Sequence, residues 1–188
     1  FYTVNNSGHC VGCHVVQKGK MAFTYDGGNG ALGLLGLDGS QTLGVDSGVC
    51  SNFKALSPDA TRMLVTCNGS ISLYDAQNGA YINTLVLPNT ATHPDWSPDG
   101  TKVLLTLTDN HSWDAGFTNG RIAVIDNLGS DQFSAPTILY DPPDPYMAYY
   151  PVWSPDGQWI AFDVSTGDSY DDPDATLYVM SASGGTPI

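Results

Sequence analysis

Pro94-Asp95-Trp96-Ser97-Pro98-Asp99-Gly100-Thr101-Lys102-Val103-Leu104-Leu105 decides how this chain folds, because the chain repeats it. A second copy reads Pro151-Val152-Trp153-Ser154-Pro155-Asp156-Gly157-Gln158-Trp159-Ile160-Ala161-Phe162. A third, looser copy reads Phe53-Lys54-Ala55-Leu56-Ser57-Pro58-Asp59-Ala60-Thr61-Arg62-Met63-Leu64-Val65. Each copy predicts a short strand, a tight turn and a second strand. Proline has its φ fixed for the first corner, aspartate bonds the turn backbone, and glycine accepts φ > 0. Downstream lie the third strands, Ile71–Asp75, Ile122–Asp126 and Leu177–Met180, and a fourth follows in Tyr81–Leu85. Four antiparallel strands recurring at a period of about 40 to 50 residues are the signature of a propeller blade.

The first repeat is degenerate. Lys20–Thr24 aligns with Lys102–Thr106, and Ala31–Asp38 supplies its third strand. Counting back from this match puts His14 level with Trp96 and Trp153, and Cys10 to Cys13 at the start of an innermost strand. The Trp-Ser-Pro-Asp-Gly phrase and the Leu177-Tyr178-Val179-Met180 ending before Gly184-Gly185 resemble TolB-like propeller repeats over nearly the whole chain. The expectation is an all-β propeller of four-stranded antiparallel blades, at 9–45, 50–88, 92–140 and 149–188. Trp96 and Trp153 are expected to pack between neighbouring blades. Phe1–Val4 reads as a leftover outer strand, and Gly184–Ile188 as the approach to a further strand. The chain is therefore expected to belong to a larger propeller of about six or seven blades.

Composition narrows the function classes. The chain has 188 residues and a formal net charge of −13. That charge argues against nucleic acid, whose phosphates need lysine and arginine partners. It fits a secreted or periplasmic protein, or one that meets a basic partner. No apolar run approaches the roughly 18 residues of a membrane span. Glycine and proline are spread evenly, as many short turns require.

Cys10-Val11-Gly12-Cys13-His14 matches C-x-x-C-H and resembles the attachment site of a c-type cytochrome. In that chemistry two thiols add to the two vinyl groups of one haem, and the adjacent histidine is the proximal iron ligand. One covalent haem c is the expected cofactor, with Cys10 and Cys13 as thioether residues and His14 on the iron. A plain disulfide or thiol pair, or a metal site, are the rival readings. Zinc would want a second ligand pair at matching spacing. The resemblance implies a periplasmic or extracellular location, because such haem is attached outside the bacterial cytoplasm. In that oxidising setting Cys50 and Cys67, which flank the Ser57–Thr61 turn, are expected to form a cross-strand disulfide.

The second axial position of the iron is filled by histidine or methionine in such proteins. The candidates are His93, read at the start of an inner strand, His111, read in a long loop, Met147, read in the loop before the fourth blade, and Met21. His9 stands too close to Cys10 to reach the opposite haem face. Asp168, Asp171, Asp172 and Asp174 form an acidic loop whose spacing matches no EF-hand, so solvation is a better reading than calcium. Gly27–Gly30 reads as a turn, since it opens no helix. No Ser-His-Asp order or catalytic carboxylate pair stands out. Electron transfer with a redox partner, docking through that partner's basic surface, ranks first. A haem-dependent oxidoreductase acting in the propeller channel is the second reading, as the resemblance to haem-bearing propeller reductases implies. A TolB-like interaction module with a structural haem is the third.

Overall fold

A computed structural model describes residues 8–188. Phe1–Val4, expected as an outer strand, lies outside the described residues. The described chain is all strands and turns, with no helix. Four antiparallel sheets follow one another as the four blades of a β-propeller. The first contains β1 (Val11–Gln17), β2 (Lys20–Tyr25), β3 (Gly30–Gly36) and β4 (Gln41–Leu43), and β5 (Cys50–Ser51) also pairs with β3. The second runs β6 (Lys54–Leu56), β7 (Arg62–Cys67), β8 (Ser70–Asp75) and β9 (Tyr81–Thr84). The third holds β10 (Thr90–Trp96), β11 (Lys102–Trp113), β12 (Gly116–Gly129), β13 (Gln132–Phe133) and β14 (Thr137–Tyr140). The fourth holds β15 (Met147–Trp153), β16 (Trp159–Ser165) and β17 (Thr176–Ser181). Ile188 exchanges two backbone hydrogen bonds with Val179 of β17, so the chain's last residue pairs along that edge.

The repeated turn is built as its residues dictate. Ser57, Ser97 and Ser154 each donate a hydroxyl hydrogen bond to the aspartate two residues on, at 2.6, 2.7 and 2.5 Å. That same carboxylate oxygen accepts the backbone N–H of Thr61, Thr101 or Gln158. These bonds favour the ionised form, so all three carboxyls sit below the usual range, Asp99 at about 2. Gly100 and Gly157 take the left-handed corner at φ 74° and 70°, and Ala60 bears the same corner at 56° in the looser copy.

The blades are joined by side chains from their inner strands. Trp96 is buried in a cluster that takes Ala55, Leu64 and Leu73 from the second blade and Val103, Ala123 and Ile125 from its own. Trp153 packs on a cluster shared by Leu104 and Ile122 of the third blade and Ile160 and Phe162 of the fourth. Both tryptophans therefore lie between neighbouring blades, as expected.

Cys50 and Cys67 form the disulfide, with Cα atoms 5.8 Å apart. Cys50 opposes Ala31 of the first blade, whereas Cys67 ends β7 of the second, so the bridge fastens the crossing between two blades. Closing a loop across a separation of 17 residues restricts the unfolded chain by about 3 kcal/mol. The Cys50→Ala/Cys67→Ala protein is expected to lose about that much stability in urea unfolding. An unchanged midpoint would mean that the bridge constrains nothing.

The alignment of the first blade needs a correction. Val16 opposes Met21 as Trp96 opposes Val103, so Val16, not His14, holds the tryptophan position. The cause is turn length. Lys18 and Gly19, at φ 37° and 82°, make a two-residue hairpin turn where the other blades use four residues. Every residue before the turn therefore shifts by two, and His14 comes level with Pro94 and Pro151.

Candidate functional site

The innermost strands β1, β6, β10 and β15 neighbour each other in that order. Three of them carry a bulge at one matching point. The ladder slips between Gly12 and Val15, between Thr92 and Asp95, and between Tyr149 and Val152. At each bulge one residue takes a left-handed backbone: Cys13 at φ 48°, His93 at 50° and Tyr150 at 52°. Non-glycine residues pay for this conformation, and it persists only where the surroundings impose it. A bulge sets two residues against one, and so re-aims side chains that a regular strand would send to opposite faces. Cys13 and His14 accordingly face the same axial cavity.

That cavity, of about 320 Å³, takes residues from all four blades. The first gives Cys13, His14 and Val15, the second Phe53 and Lys54, the third His93, Pro94 and Asp95, and the fourth Tyr150, Pro151 and Val152. Cys10, Cys13 and His14 are exposed, and neither cysteine is in a disulfide. Cys10 is fixed by Asp26, whose carboxylate accepts the Cys10 N–H at 3.1 Å and whose own N–H donates to the Cys10 carbonyl at 2.9 Å. The other Asp26 oxygen meets His9 Nδ1 at 2.6 Å.

Lys54 anchors the motif from below. It is buried, and its Nζ donates to the carbonyls of Cys13 and Asn52 and to Thr24 Oγ1, each at 2.7 Å. All three ammonium protons are thereby used. Burial pulls its pKa down to about 8, so the ammonium is still charged at neutral pH. Asp95 is a half-buried acid lining the same cavity. One of its oxygens accepts the N–H of Trp153 at 2.8 Å, tying the inner strands of the third and fourth blades. Burial raises its pKa to about 6, against the lowering effect of that bond. Because the folded value exceeds the ordinary 3.8, Asp95's contribution to stability is full in acid and fades as pH rises toward neutrality. Between pH about 4 and 7 the wild type should therefore lose up to about 3 kcal/mol relative to Asp95→Asn, which keeps the acceptor without the charge. Parallel stability curves for the two proteins would refute this.

His93 is 4% exposed and lies among Phe53, Phe117 and Tyr150, with ring centroids 4.3, 5.9 and 3.9 Å away. Its Nδ1 stands 3.4 Å from both Thr106 Oγ1 and the Tyr150 N–H. Its Nε2 is buried without a hydrogen-bond partner. Burial holds its pKa well below the usual value, so the ring is neutral. Burial likewise pushes Tyr150 up to about 12.

Of the four candidates for a second axial ligand, the structure brings only His93 to the cavity that holds Cys13 and His14. His93 stands mid-strand at a bulge, not at the start of its strand. His111 is not in a loop: β11 and β12 continue their ladder past it to the Trp113–Gly116 pair. Its Nε2 faces Asp114 Oδ1 at 3.4 Å, and that buried carboxylate also accepts the N–H groups of Asn68 and Gly69. Met147 opens β15 instead of lying in the preceding loop, and is buried with Phe117 and Tyr149. Met21 is buried with Phe23, Tyr25 and Leu35.

The acidic loop uses its carboxylates on its own backbone. Asp172 accepts the N–H groups of Gly167 and Asp174, and Asp168 accepts that of Tyr170. Among the described residues, no three His, Cys, Asp or Glu side chains gather as a metal centre would need. A covalent haem asks less of the protein, namely two reachable thiols and one imidazole beside them. Cys10, Cys13 and His14 are exposed and supply those residue types, whereas His93 Nε2 is buried from solvent.

Lys54, Asp95, Phe53 and Tyr150 were missed in the sequence. Lys54 stands level with His14, Pro94 and Pro151, and Phe53 level with Cys13, His93 and Tyr150, a match visible only once the short first turn is allowed for.

No protein-family model matches the chain, and no curated protein matches it. Solved structures match the fold. A protein assigned as TolB from Agrobacterium tumefaciens superimposes with a TM-score of 0.67 at 18% identity, over 96% of this chain and 61% of that one. TolB from Acinetobacter baumannii gives 0.59 at 21% identity, over 92% and 41%. The hydrazine synthase of Kuenenia stuttgartiensis gives 0.60 at 16% identity, over 86% and 47%. The chain thus spans less than two thirds of each of these proteins, and at such identities the likeness is one of fold: a TolB-like β-propeller.

Proposed function

We propose that this chain is a TolB-like docking propeller that carries one covalent c-type haem at Cys10 and Cys13, with His14 on the iron, and relays single electrons to a docked partner. The observation that supports it is the placement of two free, exposed thiols, Cys10 just before β1 and Cys13 on it, beside the exposed imidazole of His14, with Cys13 and His14 lining the axial cavity. When bound, the haem supplies a one-electron ferric–ferrous couple. The protein's own residues do the rest. The bulge turns Cys13 and His14 to one face. Lys54 fixes the Cys13 carbonyl, and Asp26 fixes Cys10. The net charge of −13 favours a partner with a basic docking surface and makes association salt-sensitive. The Cys50–Cys67 disulfide and the thioether chemistry both fit a periplasmic or extracellular setting. No helix among the described residues is long and apolar enough to cross a membrane. The blades described here are then part of a longer propeller or complex, in line with the share of the matched structures they span.

Two rivals remain distinct. The fold neighbours favour an interaction module in which haem is only structural, and the buried Lys54 with the half-buried Asp95 and Tyr150 in the cavity favour catalysis there. Spectroelectrochemistry on protein matured in a cytochrome-producing host separates them. Electron transfer expects a reversible one-electron couple and a low-spin haem that ignores carbon monoxide. A high-spin ferric spectrum at neutral pH would move the assignment to catalysis, and a haem that cannot be cycled would move it to structure.

A further inference from the structure

We propose that the axial cavity binds a small organic ammonium, a primary amine on a short apolar or aromatic stem, with Asp95 as its anionic anchor. The site goes beyond the electron-transfer reading. It uses neither thiol and not His14, so it stands or falls apart from the haem.

The carboxylate is the starting point. An ionised carboxylate offers about four lone-pair positions on its two oxygens. Asp114, in the turn between β11 and β12, shows how this fold normally fills them: one oxygen accepts the N–H of Asn68 and the other that of Gly69. Asp95 accepts only the Trp153 N–H, on one oxygen. Among the described residues its other oxygen has no partner, and it is not a sealed atom but open to the cavity that Asp95 lines. Lys54, the cation on the same cavity, spends its three protons on Cys13, Asn52 and Thr24. The cavity therefore presents a carboxylate that no protein cation contacts.

Register makes that acid an exception. Asp95 opposes Leu104, as Val15 opposes Ala22, Ala55 opposes Leu64 and Val152 opposes Ala161. Three blades hold an apolar residue at the level where the third blade holds an acid. Val15, Pro94, Pro151 and Val152 line the cavity with Asp95, so an apolar stem has walls beside a single open charge. Phe53 and Tyr150, half-buried with ring centroids 5.5 Å apart, complete the lining. Aromatic rings attract a cation placed against them. His93 lies sealed beneath these two rings and takes no part. An organic anion would meet Asp95 and find no free proton on Lys54, whereas an ammonium gives the open oxygen its missing donor. The volume of about 320 Å³ suits one small molecule.

The test is calorimetric titration of the full chain, with Cys10 and Cys13 free as in the structure, at pH about 7.5, above the value of about 6 at which Asp95 ionises. The probes are phenethylammonium and its uncharged isostere, phenethyl alcohol. Wild type is expected to bind the ammonium about tenfold or more tighter than the alcohol, as a charge-assisted hydrogen bond requires. Asp95→Asn keeps the acceptor for the Trp153 N–H but not the charge. It should lose that preference while binding the alcohol as wild type does, which also shows that its cavity is intact. Equal affinity of wild type for the two probes overturns the site without recourse to a variant. So does an ammonium that does not bind, or one that Asp95→Asn binds as tightly as wild type. None of these outcomes bears on haem attachment, and a chain that acquires no haem leaves the site untouched.

Discussion

Replacing both Cys10 and Cys13 by alanine is expected to abolish acid-stable haem completely while leaving the propeller folded. Both side chains are exposed and neither enters a core cluster, so the folding cost should stay within about 0.5 kcal/mol. The backbone contacts at both positions survive the change. Lys54 bonds the Cys13 carbonyl, and Asp26 bonds the backbone of Cys10. Alanine has the same Cβ as cysteine, so the left-handed corner at Cys13 is no more strained than before. Each single variant should retain haem through one thioether. Haem staining after acid-acetone extraction reads the result. Full staining in the double variant would mean that the attachment lies elsewhere, whereas loss of the whole fold would mean that the thiols are structural.

Trp96→Ala is expected to cost about 3–5 kcal/mol, the range for removing a large buried aromatic. For a chain of this size that is a fall in melting temperature of about 6–20 °C. Trp96 is 7% exposed, fills the seam between the second and third blades and touches Phe133 at 5.8 Å between ring centroids. Its indole N–H has no partner, so the loss is one of packing, not of a hydrogen bond. Val16 provides the internal control. It occupies the same position in the first blade but is 51% exposed, and its replacement by alanine should cost less than about 1 kcal/mol. Equal effects at the two positions would contradict the seam as the source of stability.

Much of this architecture is legible in the sequence because the Ser-Pro-Asp turn carries its own mechanism. The serine, the aspartate and the left-handed corner each make a contact that depends only on neighbours within five residues. The disulfide was legible for a similar reason, since Cys50 and Cys67 flank one such turn. The first blade hid its register because Lys18–Gly19 removes two residues without a trace in the hydrophobic pattern. His14 was thus set beside the tryptophans, when its true neighbours are Pro94, Pro151 and Lys54. The bulges were equally silent. Each slips a ladder that sequence alternation assumes to be regular, and so places Cys13, His93 and Tyr150 at one level. Lys54 and Asp95 escaped notice for another reason. Their partners lie in other blades, 41 residues away at Cys13 and 58 at Trp153, and nothing local marks Lys54 as buried or Asp95 as half-buried. His111 read as a loop residue because Asp109–Phe117 is polar, yet β11 and β12 simply lengthen their hairpin through it.

The central claim is that Cys10 and Cys13 hold a haem. Its most direct test is the intact mass of the full chain after expression in a host that matures c-type cytochromes, measured under denaturing conditions. The account predicts the mass of the polypeptide plus one haem, with the increment mapped to the peptide that contains Cys10-Val11-Gly12-Cys13-His14. A chain of unmodified mass, with Cys10 and Cys13 recovered as thiols or joined to each other, would contradict it.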